Sequence, residues 1–177
     1  MLLKTLRFVS IVCAALALGL TVAHVLERPG KAQLSGAEWL LVQHTFYGGF
    51  AVVGGLAEVL GLLTSLGTLV LLRGRRTQAM LALLGALSFA GMLLSYAAGN
   101  RPINDLVAAW TPASLPPDWT VYRDRWDGAH ALSALFAALA LGNLLAGALR
   151  EAPSCLPSAS ARRIAAESSP RQAVRMM

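Results

Sequence analysis

Charged residues are scarce in this sequence, and their scarcity excludes a soluble globular protein. Lys, Arg, Asp and Glu make up 14% of the 177 residues, whereas hydrophobic residues make up 56%, and the mean hydropathy is +0.59. A water-exposed surface around so short a chain needs more polar side chains than this. The net charge of +6 does not indicate a nucleic-acid partner, because the basic residues are scattered between apolar runs rather than gathered on one solvated face.

Cysteine is nearly absent as well. Cys13 lies in an apolar run and Cys155 in a polar tail, so we expect no disulfide between them. The sequence contains no Cys-x-x-Cys pair. A membrane thiol oxidoreductase of the quinone-coupled kind is therefore excluded, because its reacting thiols are missing.

Proline is missing from four apolar stretches, which lie at about 8–26, 42–72, 77–100 and 127–149. Each is close to the roughly 20 residues that a helix needs to cross about 30 Å of hydrocarbon. The sequence therefore predicts an all-α fold, a four-helix transmembrane bundle over residues 1–150. Residues 151–177 lack apolar periodicity and are predicted to form a disordered cytoplasmic tail.

The outer loop of this bundle, residues 101–127, is long enough to need structure of its own. Ile103, Leu106, Val107 and Trp110 recur there at helical spacing. We therefore predict a short amphipathic helix that lies along the membrane interface.

The first apolar run has a second interpretation. Lys4 and Arg7 in front of it and Ala23 near its end also fit a cleaved secretory signal. We favour a retained helix, because the run is long for a signal core. In addition, His24 and Glu27 lie one helical turn apart and form a polar pair that a discarded peptide does not need.

Basic residues are unevenly divided between the two sides. The N-terminus, the loop between the second and third runs and the tail carry twice as many Lys and Arg residues as the other two loops. The positive-inside rule then puts both termini in the cytoplasm. We expect an integral membrane protein of a bacterial inner membrane.

Tryptophan and tyrosine are confined to the opposite side. All four Trp and all three Tyr fall at or beyond the predicted outer boundary, whereas an ordinary anchoring belt occupies both faces of a membrane. Two interpretations remain open. The aromatic residues anchor the outer loop at the interface, or they wall the mouth of a site for an apolar or planar ligand.

Polar residues are rare inside the predicted spans, and Glu58 is the only charged one apart from Asp127 at the edge of the fourth span. A carboxylate in a span costs about 2.5 to 3.5 kcal/mol on insertion scales. Counting 1.5 Å per residue from the inner arginines places His24, Glu58 and His130 in one layer near the outer boundary, with His44 above it. We predict His130, His24 and Glu58 as catalytic residues, although Glu58 also fits a carboxyl group that hydrogen-bonds a neighbouring helix.

The same three side chains are a candidate metal set, since two imidazoles and a carboxylate can hold Zn, Fe or Mn. Their spacing matches no diagnostic metal motif. We expect no cofactor and keep a bound metal as the alternative.

Small and polar residues share one face of the second helix, which carries His44, Tyr47, Ala51, Gly55 and Glu58. Small residues at this spacing indicate close helix packing by default.

Further polar residues mark the outer ends of the third and fourth spans. Asn100 and Asn104 are expected either to cap the chain there or to bind a ligand. At the start of the fourth span, Asp127 is expected to pair with Arg123 and to orient His130 one turn away.

These residues form an ordered set of motifs. The motifs are Ala23-His24 through Glu27-x-Pro29, Gln43-x-x-x-Tyr47 with Glu58 below it, Asn100-x-Pro102-Ile103-Asn104, and Arg123-x-Arg125-Trp126-x-x-x-His130. Together they resemble the anthrone-oxygenase-like family of small four-helix membrane proteins, most bacterial members of which form a domain of unknown function. The resemblance covers residues 1–150.

The resemblance implies an oxygenase that converts anthrones to anthraquinones with molecular oxygen and without flavin or haem. It implies that His130 or His24 removes a proton from the substrate, while Asn100, Asn104 and nearby arginines stabilise the enolate. The predicted substrate-binding residues are Tyr47, Tyr96, Asn100, Asn104, Arg123 and Trp126. Ser133 departs from the family pattern, in which an arginine often follows the histidine by three residues.

The alternative functions differ in kind. The bundle is either a non-catalytic membrane protein that binds a lipid or a partner helix through its small-residue faces, or a metal-binding membrane protein. In each case, the bilayer and a small hydrophobic or aromatic ligand are the expected partners, and the sequence leaves the oligomeric state open.

Overall fold

The computed structural model of the protein describes residues 1–150, and the predicted tail over 151–177 lies outside the described residues. The described chain is helical, without strands. Its elements are α1 (Leu2–Lys31), α2 (Gly36–Leu71), α3 (Arg76–Ser95), a π-helical segment (Tyr96–Asn100), α4 (Arg101–Ala109) and α5 (Trp119–Leu149).

Four helices are long and apolar enough to cross a membrane: Leu2–Lys31, Gly36–Leu71, Arg76–Ala109 and Trp119–Leu149. The prediction of an all-α, four-helix bundle is confirmed, and the chain has the helices of an integral membrane protein. Each helix extends beyond its predicted apolar span. The 36 residues of α2 rise about 54 Å, so this helix projects well past the hydrocarbon.

The helices form a ring in the order α1, α2, α3, α5, and each packs against its two neighbours. In the inner half, the core consists mainly of small residues around two large side chains, Phe89 and Met92, which are fully buried. A methyl group on Gly61 would overlap the Phe89 ring. Glycine at this position therefore lets α2 and α3 approach closely.

The outer half has a second core, in which Trp39, Leu40, Ile103, Val107 and Trp126 are buried. It is positioned by the start of α2, where the Ser35 hydroxyl accepts a hydrogen bond from the Glu38 backbone and the Glu38 carboxylate accepts one from the Ser35 backbone. This reciprocal cap satisfies backbone donors that a helix N-terminus otherwise leaves unpaired.

The predicted short helix of the outer loop exists as α4, but it is not a separate element. The π-helical segment joins α3 to α4 without a break. Pro102 lies in the first turn of α4, so the helix changes its hydrogen-bond pattern directly before a residue that has no backbone N–H to donate. Ile103 and Val107 are buried against the bundle.

Proline also departs from the predicted boundaries in the first helix. We expected Pro29 to lie beyond the end of that helix, but α1 continues through it to Lys31. A proline so close to the helix end removes one backbone hydrogen bond, and few turns remain for it to disrupt. The extra turn matters, because it carries Lys31 into the bundle, where this side chain is 5% exposed.

Candidate functional site

A cavity of about 580 Å³ lies in the outer half of the bundle, and all four long helices contribute to its wall. Small-molecule sites in proteins span about 300 to 1,000 Å³. The cavity brings together eight of the residues predicted from the sequence, which are His24, Tyr47, Glu58, Tyr96, Asn100, Asn104, Trp126 and His130. The predicted polar residues thus line one cavity.

The cavity exists because the middle of α2 carries small residues that nothing fills. A methyl group added to Gly48 or Gly55 would meet no atom within 4 Å. Gly55 and its neighbour on the same face, Ala51, both line the cavity. Close helix packing, the default meaning of these small residues, is therefore wrong for this stretch.

The imidazoles of His24 and His130 lie side by side in the part of the cavity wall where α1 packs against α5. The ring centroids of His24 and His130 lie 4.1 Å apart, with an angle of 36° between the ring planes. The indole of Trp126 makes T-shaped contacts with both imidazoles. The distance between ring centroids is 4.2 Å for His130 and 5.0 Å for His24. The rings are fixed by packing, since His24 is 4% exposed and Trp126 is 3% exposed.

Several polar atoms at the cavity are buried without a hydrogen-bond partner in the described chain. They are Nδ1 of His24, Nδ1 of His130, Oδ1 of Asn100 and Nε2 of Gln43. Most buried polar atoms in folded proteins are paired, and an unpaired one usually indicates a functional role or a bound water or ligand. These atoms include hydrogen-bond acceptors and a hydrogen-bond donor for a molecule bound in the cavity.

The two asparagines hold Trp126 in place. The indole Nε1 of Trp126 donates to Oδ1 of Asn104 at 2.8 Å, and the backbone carbonyl of Trp126 accepts from Nδ2 of Asn100 at 3.0 Å. The Ser95 hydroxyl donates to the carbonyl of Ala129 at 2.9 Å. These bonds attach α5 to the third helix and its extension, so both asparagines do more than cap the chain.

A buried lysine stands beside the histidines. The Nζ atom of Lys31 lies 3.4 Å from Oδ1 of Asp127 and 3.7 Å from Oε2 of Glu27. It also lies 4.6 Å from the centroid of the Trp126 ring and 5.2 Å from that of Tyr47. The sequence analysis missed this residue, although its i,i+4 spacing from Glu27 was a usable signal.

Glu27 connects this lysine to the cavity. Its Oε2 atom accepts a hydrogen bond from the Tyr47 hydroxyl at 2.7 Å and lies 3.7 Å from Nδ1 of His24. The side chain is 41% exposed. One carboxylate oxygen thus links an outer surface of the bundle to the imidazole pair.

The expected roles of Asp127 and Arg123 are corrected by the structure. Asp127 pairs with Lys31 and does not orient His130. Arg123 pairs with the neighbouring Asp124 at 3.1 Å instead of Asp127, and its guanidinium lies 5.2 Å from the centroid of the Trp119 ring. Arg123 does not line the cavity; its guanidinium lies between the Trp119 ring and the Ala32 carbonyl oxygen instead.

Glu58 lines the cavity from a position between three and four turns below Tyr47 on α2. Within residues 1–150, no three His, Cys, Asp or Glu side chains are placed to hold a metal ion, so the alternative set of His24, Glu58 and His130 is not assembled there. His44 lies one turn above Tyr47 on an unbroken α2, and its Nε2 atom is 2.9 Å from the Val107 carbonyl oxygen.

Chemically, the site combines two imidazoles, amide groups and aromatic walls in a largely apolar space. Such a set can accept a proton from a bound molecule and hydrogen-bond the oxygen of an anion.

Comparison of the chain with protein-family models, curated proteins and solved structures finds no match.

Proposed function

We propose that the protein binds a small aromatic compound in the outer leaflet of the membrane and oxidises it with molecular oxygen without a bound cofactor, as the anthrone oxygenases that its motifs resemble do. The observation that carries the proposal is the imidazole pair with unpartnered nitrogens in a cavity of about 580 Å³. The proposal includes the orientation with both termini in the cytoplasm of a bacterial inner membrane, which the distribution of Lys and Arg supports.

The first step is proton removal by an imidazole. An anthrone carries a methylene group between two aromatic rings, opposite a ring carbonyl. His130 or His24 takes one methylene proton, and the electron pair of the broken C–H bond moves through the rings onto the carbonyl oxygen. In this proposal, two residues of the cavity wall stabilise this oxygen with their amide nitrogens: Gln43, whose Nε2 atom is buried without a partner in residues 1–150, and Asn104.

The second step uses oxygen as the only oxidant. The electron-rich anion reduces O2, and a C–O bond forms at the former methylene carbon to give a hydroperoxide. Loss of the remaining hydrogen on that carbon with cleavage of the O–O bond gives the quinone carbonyl and one water. One O2 is consumed for each anthrone, and the proton held by the imidazole completes the water.

This scheme uses no arginine, whereas the family resemblance implies that nearby arginines stabilise the enolate. Arg123 is paired outside the cavity, and no arginine of residues 1–150 lines the cavity wall. Ser133 does line it, at the position where an arginine is common in the family. The amides of Gln43 and Asn104 therefore take the role that the resemblance gives to arginine.

The test is turnover of a hydroxylated anthrone by the full chain in lipid nanodiscs, followed by anthraquinone absorbance and oxygen uptake. His130→Gln and His24→Gln should each lower the rate by about 10²- to 10⁴-fold, the range that general base catalysis contributes. Asn143→Ala is the matched control in α5, since Asn143 hydrogen-bonds its own helix at Leu139. Equal rates for wild type and both folded histidine variants, or no rate above that of empty nanodiscs, would contradict the proposal.

A second candidate is non-catalytic binding of a lipid or a partner helix. The observation in its favour is the exposure of α2, of whose most apolar window 17% is buried in the bundle, compared with 28% to 39% in the other three spans. The same experiment separates the two candidates. Saturable binding of the anthrone without oxygen uptake favours the second one.

A further inference from the structure

The cavity has one closed side and one open side. Its α1 and α5 walls are made of buried residues, among them Ala17, Thr21 and Ser133. On the opposite side, several lining residues of α2 and of the third helix are exposed, with Leu56 at 60% and Tyr96 at 39%. The opening is therefore a slot between α2 and the α3–α4 helix.

Two contacts limit this slot. At its outer end, the His44 ring bonds to the carbonyl of Val107 and joins α2 to α4. At its inner end, Gly61 packs directly on the Phe89 ring and joins α2 to α3. Between His44 and Gly61, α2 rises by about 25 Å, so a cavity of about 580 Å³ is elongated along the helix rather than round.

The surface around the slot is apolar. The neighbouring side chains of α2 are aliphatic and largely exposed, as Val52, Val53 and Leu60 show with 63%, 46% and 48%. In a chain with four helices of membrane-spanning length, such a surface is covered by hydrocarbon. The slot thus opens sideways to lipid, and a ligand that uses it comes from the bilayer.

Most polar groups of the wall lie toward the outer end of this elongated space, and Glu58 is the one acid among the aliphatic side chains further along α2. His24 and Asn100 line the cavity and are 4% and 1% exposed, and each carries a side-chain atom without a hydrogen-bond partner in residues 1–150. Leu56, Val59 and Leu93, which also line it, are aliphatic. A molecule that matches both parts has a polar aromatic head and an aliphatic extension.

We propose that the ligand is an aromatic compound with an alkyl or isoprenoid tail, which enters from the bilayer through the slot between α2 and the α3–α4 helix. The head lies against His24 and His130, and the tail remains between the helices and in the lipid. This inference rests on the proposed function for the site of the head group only, and it concerns binding, which is measured without turnover.

The test fills the slot. Gly55→Leu adds a side chain where a methyl group meets no atom within 4 Å, and leucine favours the helix over glycine. Gly142→Leu is the matched control, because Gly142 is equally open but lies on the exposed face of α5 away from the cavity. Gly48→Leu is a second slot variant in case Gly55→Leu fails to fold.

The probes are an anthracene ester of a hydroxylated fatty acid, dissolved beforehand in the nanodisc lipid, and a tail-less anthracene carboxylate added from water. Binding is followed by energy transfer from tryptophan to the anthracene group. Wild type should bind the tailed probe at least about tenfold more tightly than the tail-less one, and Gly55→Leu should weaken that binding by at least about tenfold. Gly142→Leu should bind like wild type.

Equal binding of the tailed probe by wild type and a folded slot variant would overturn the inference, and so would tighter binding of the tail-less probe. Failure of the proposed function looks different. If binding depends on the tail and on the slot but no anthrone is oxidised, the proposed oxygenase function is contradicted and the proposed entry from the lipid stands. If the protein oxidises anthrone but the slot variants bind the tailed probe like wild type, only the proposed entry route is contradicted.

Discussion

The inner and outer halves of this bundle use the same small residues for opposite purposes. In the inner half, Gly61 lies under the Phe89 ring, and a methyl group on Gly85 would press on Leu144 at about 3 Å. In the outer half, Gly55 faces open space. In this bundle, a small residue brings helices together where a side chain opposes it, as Phe89 opposes Gly61, and it leaves open space where none does, as at Gly55.

Polar residues differ between the halves in the same way. In the inner half, the hydroxyls of Thr64 and Ser88 donate to carbonyls one turn earlier in their own helices. In the outer half, polar side chains join different helices, as Asn104 does with Trp126 and Tyr47 with Glu27. The outer half is thus held by side-chain pairs around a cavity, whereas the inner half is held by packing.

The largest effect on stability is expected from Lys31→Met, which breaks the buried ion pair of the outer half. Lys31 and Asp127 are 5% and 4% exposed, so Asp127 would be left as an uncompensated buried carboxylate. Removing one partner of such a pair costs about 3 to 5 kcal/mol. The free energy of unfolding of the full chain, measured by detergent denaturation from mixed micelles, should fall by this amount.

Two variants control that measurement. Lys4→Met removes an exposed lysine near the N-terminus and should change little. The double variant Lys31→Met with Asp127→Asn should recover most of the loss, because the unpaired charge is gone. If Lys31→Met is as stable as Lys4→Met, the outer half is not held by this pair.

An intermediate effect is expected where the inner half is packed most closely. Gly61→Ala forces a methyl group into the ring of Phe89, which is fully buried and cannot move aside. Overpacking of this kind costs about 1 to 3 kcal/mol. Gly55→Ala is the matched variant of the outer half, and it should be neutral or slightly stabilising, since alanine favours a helix by about 1 kcal/mol over glycine.

Thermal unfolding of the two variants in the same detergent measures this difference directly. Equal destabilisation by both substitutions would mean that the two glycines play the same part, and the contrast between the halves would be lost.

Much of this architecture is predictable from the sequence, because each apolar run needs only its length and the absence of proline to predict a spanning helix. That His24, Glu58 and His130 line one cavity was predictable for a similar reason, since a constant rise per residue converts sequence distance into depth. The pairing of charged side chains was not predictable in this way. Asp127 lies one turn from His130 along α5, yet the chain brings Lys31 closer from another helix, and no spacing within one helix contains that information.

The burial of Lys31 shows the same limit. Its position after Pro29 predicts a loop, because proline usually ends a helix, and a loop lysine is expected to be solvated. The structure continues α1 by one more turn, and this turn carries the amine between Tyr47 and Trp126. Only the packing of three helices decides between these outcomes.

The smallest effect is expected from Tyr47→Phe, which removes a single polar link between α1 and α2 in the outer half. The hydroxyl donates to Glu27 at 2.7 Å, but Glu27 is 41% exposed, so water can replace the lost donor, and the loss should be about 0.5 to 1.5 kcal/mol. The ring remains and keeps its edge contact with His24. Tyr96→Phe is the control, because the Tyr96 hydroxyl makes no hydrogen bond within residues 1–150, and it should unfold at the wild-type temperature. A loss for Tyr47→Phe as large as that for Lys31→Met would show that the hydroxyl, rather than the ion pair, holds the outer half together.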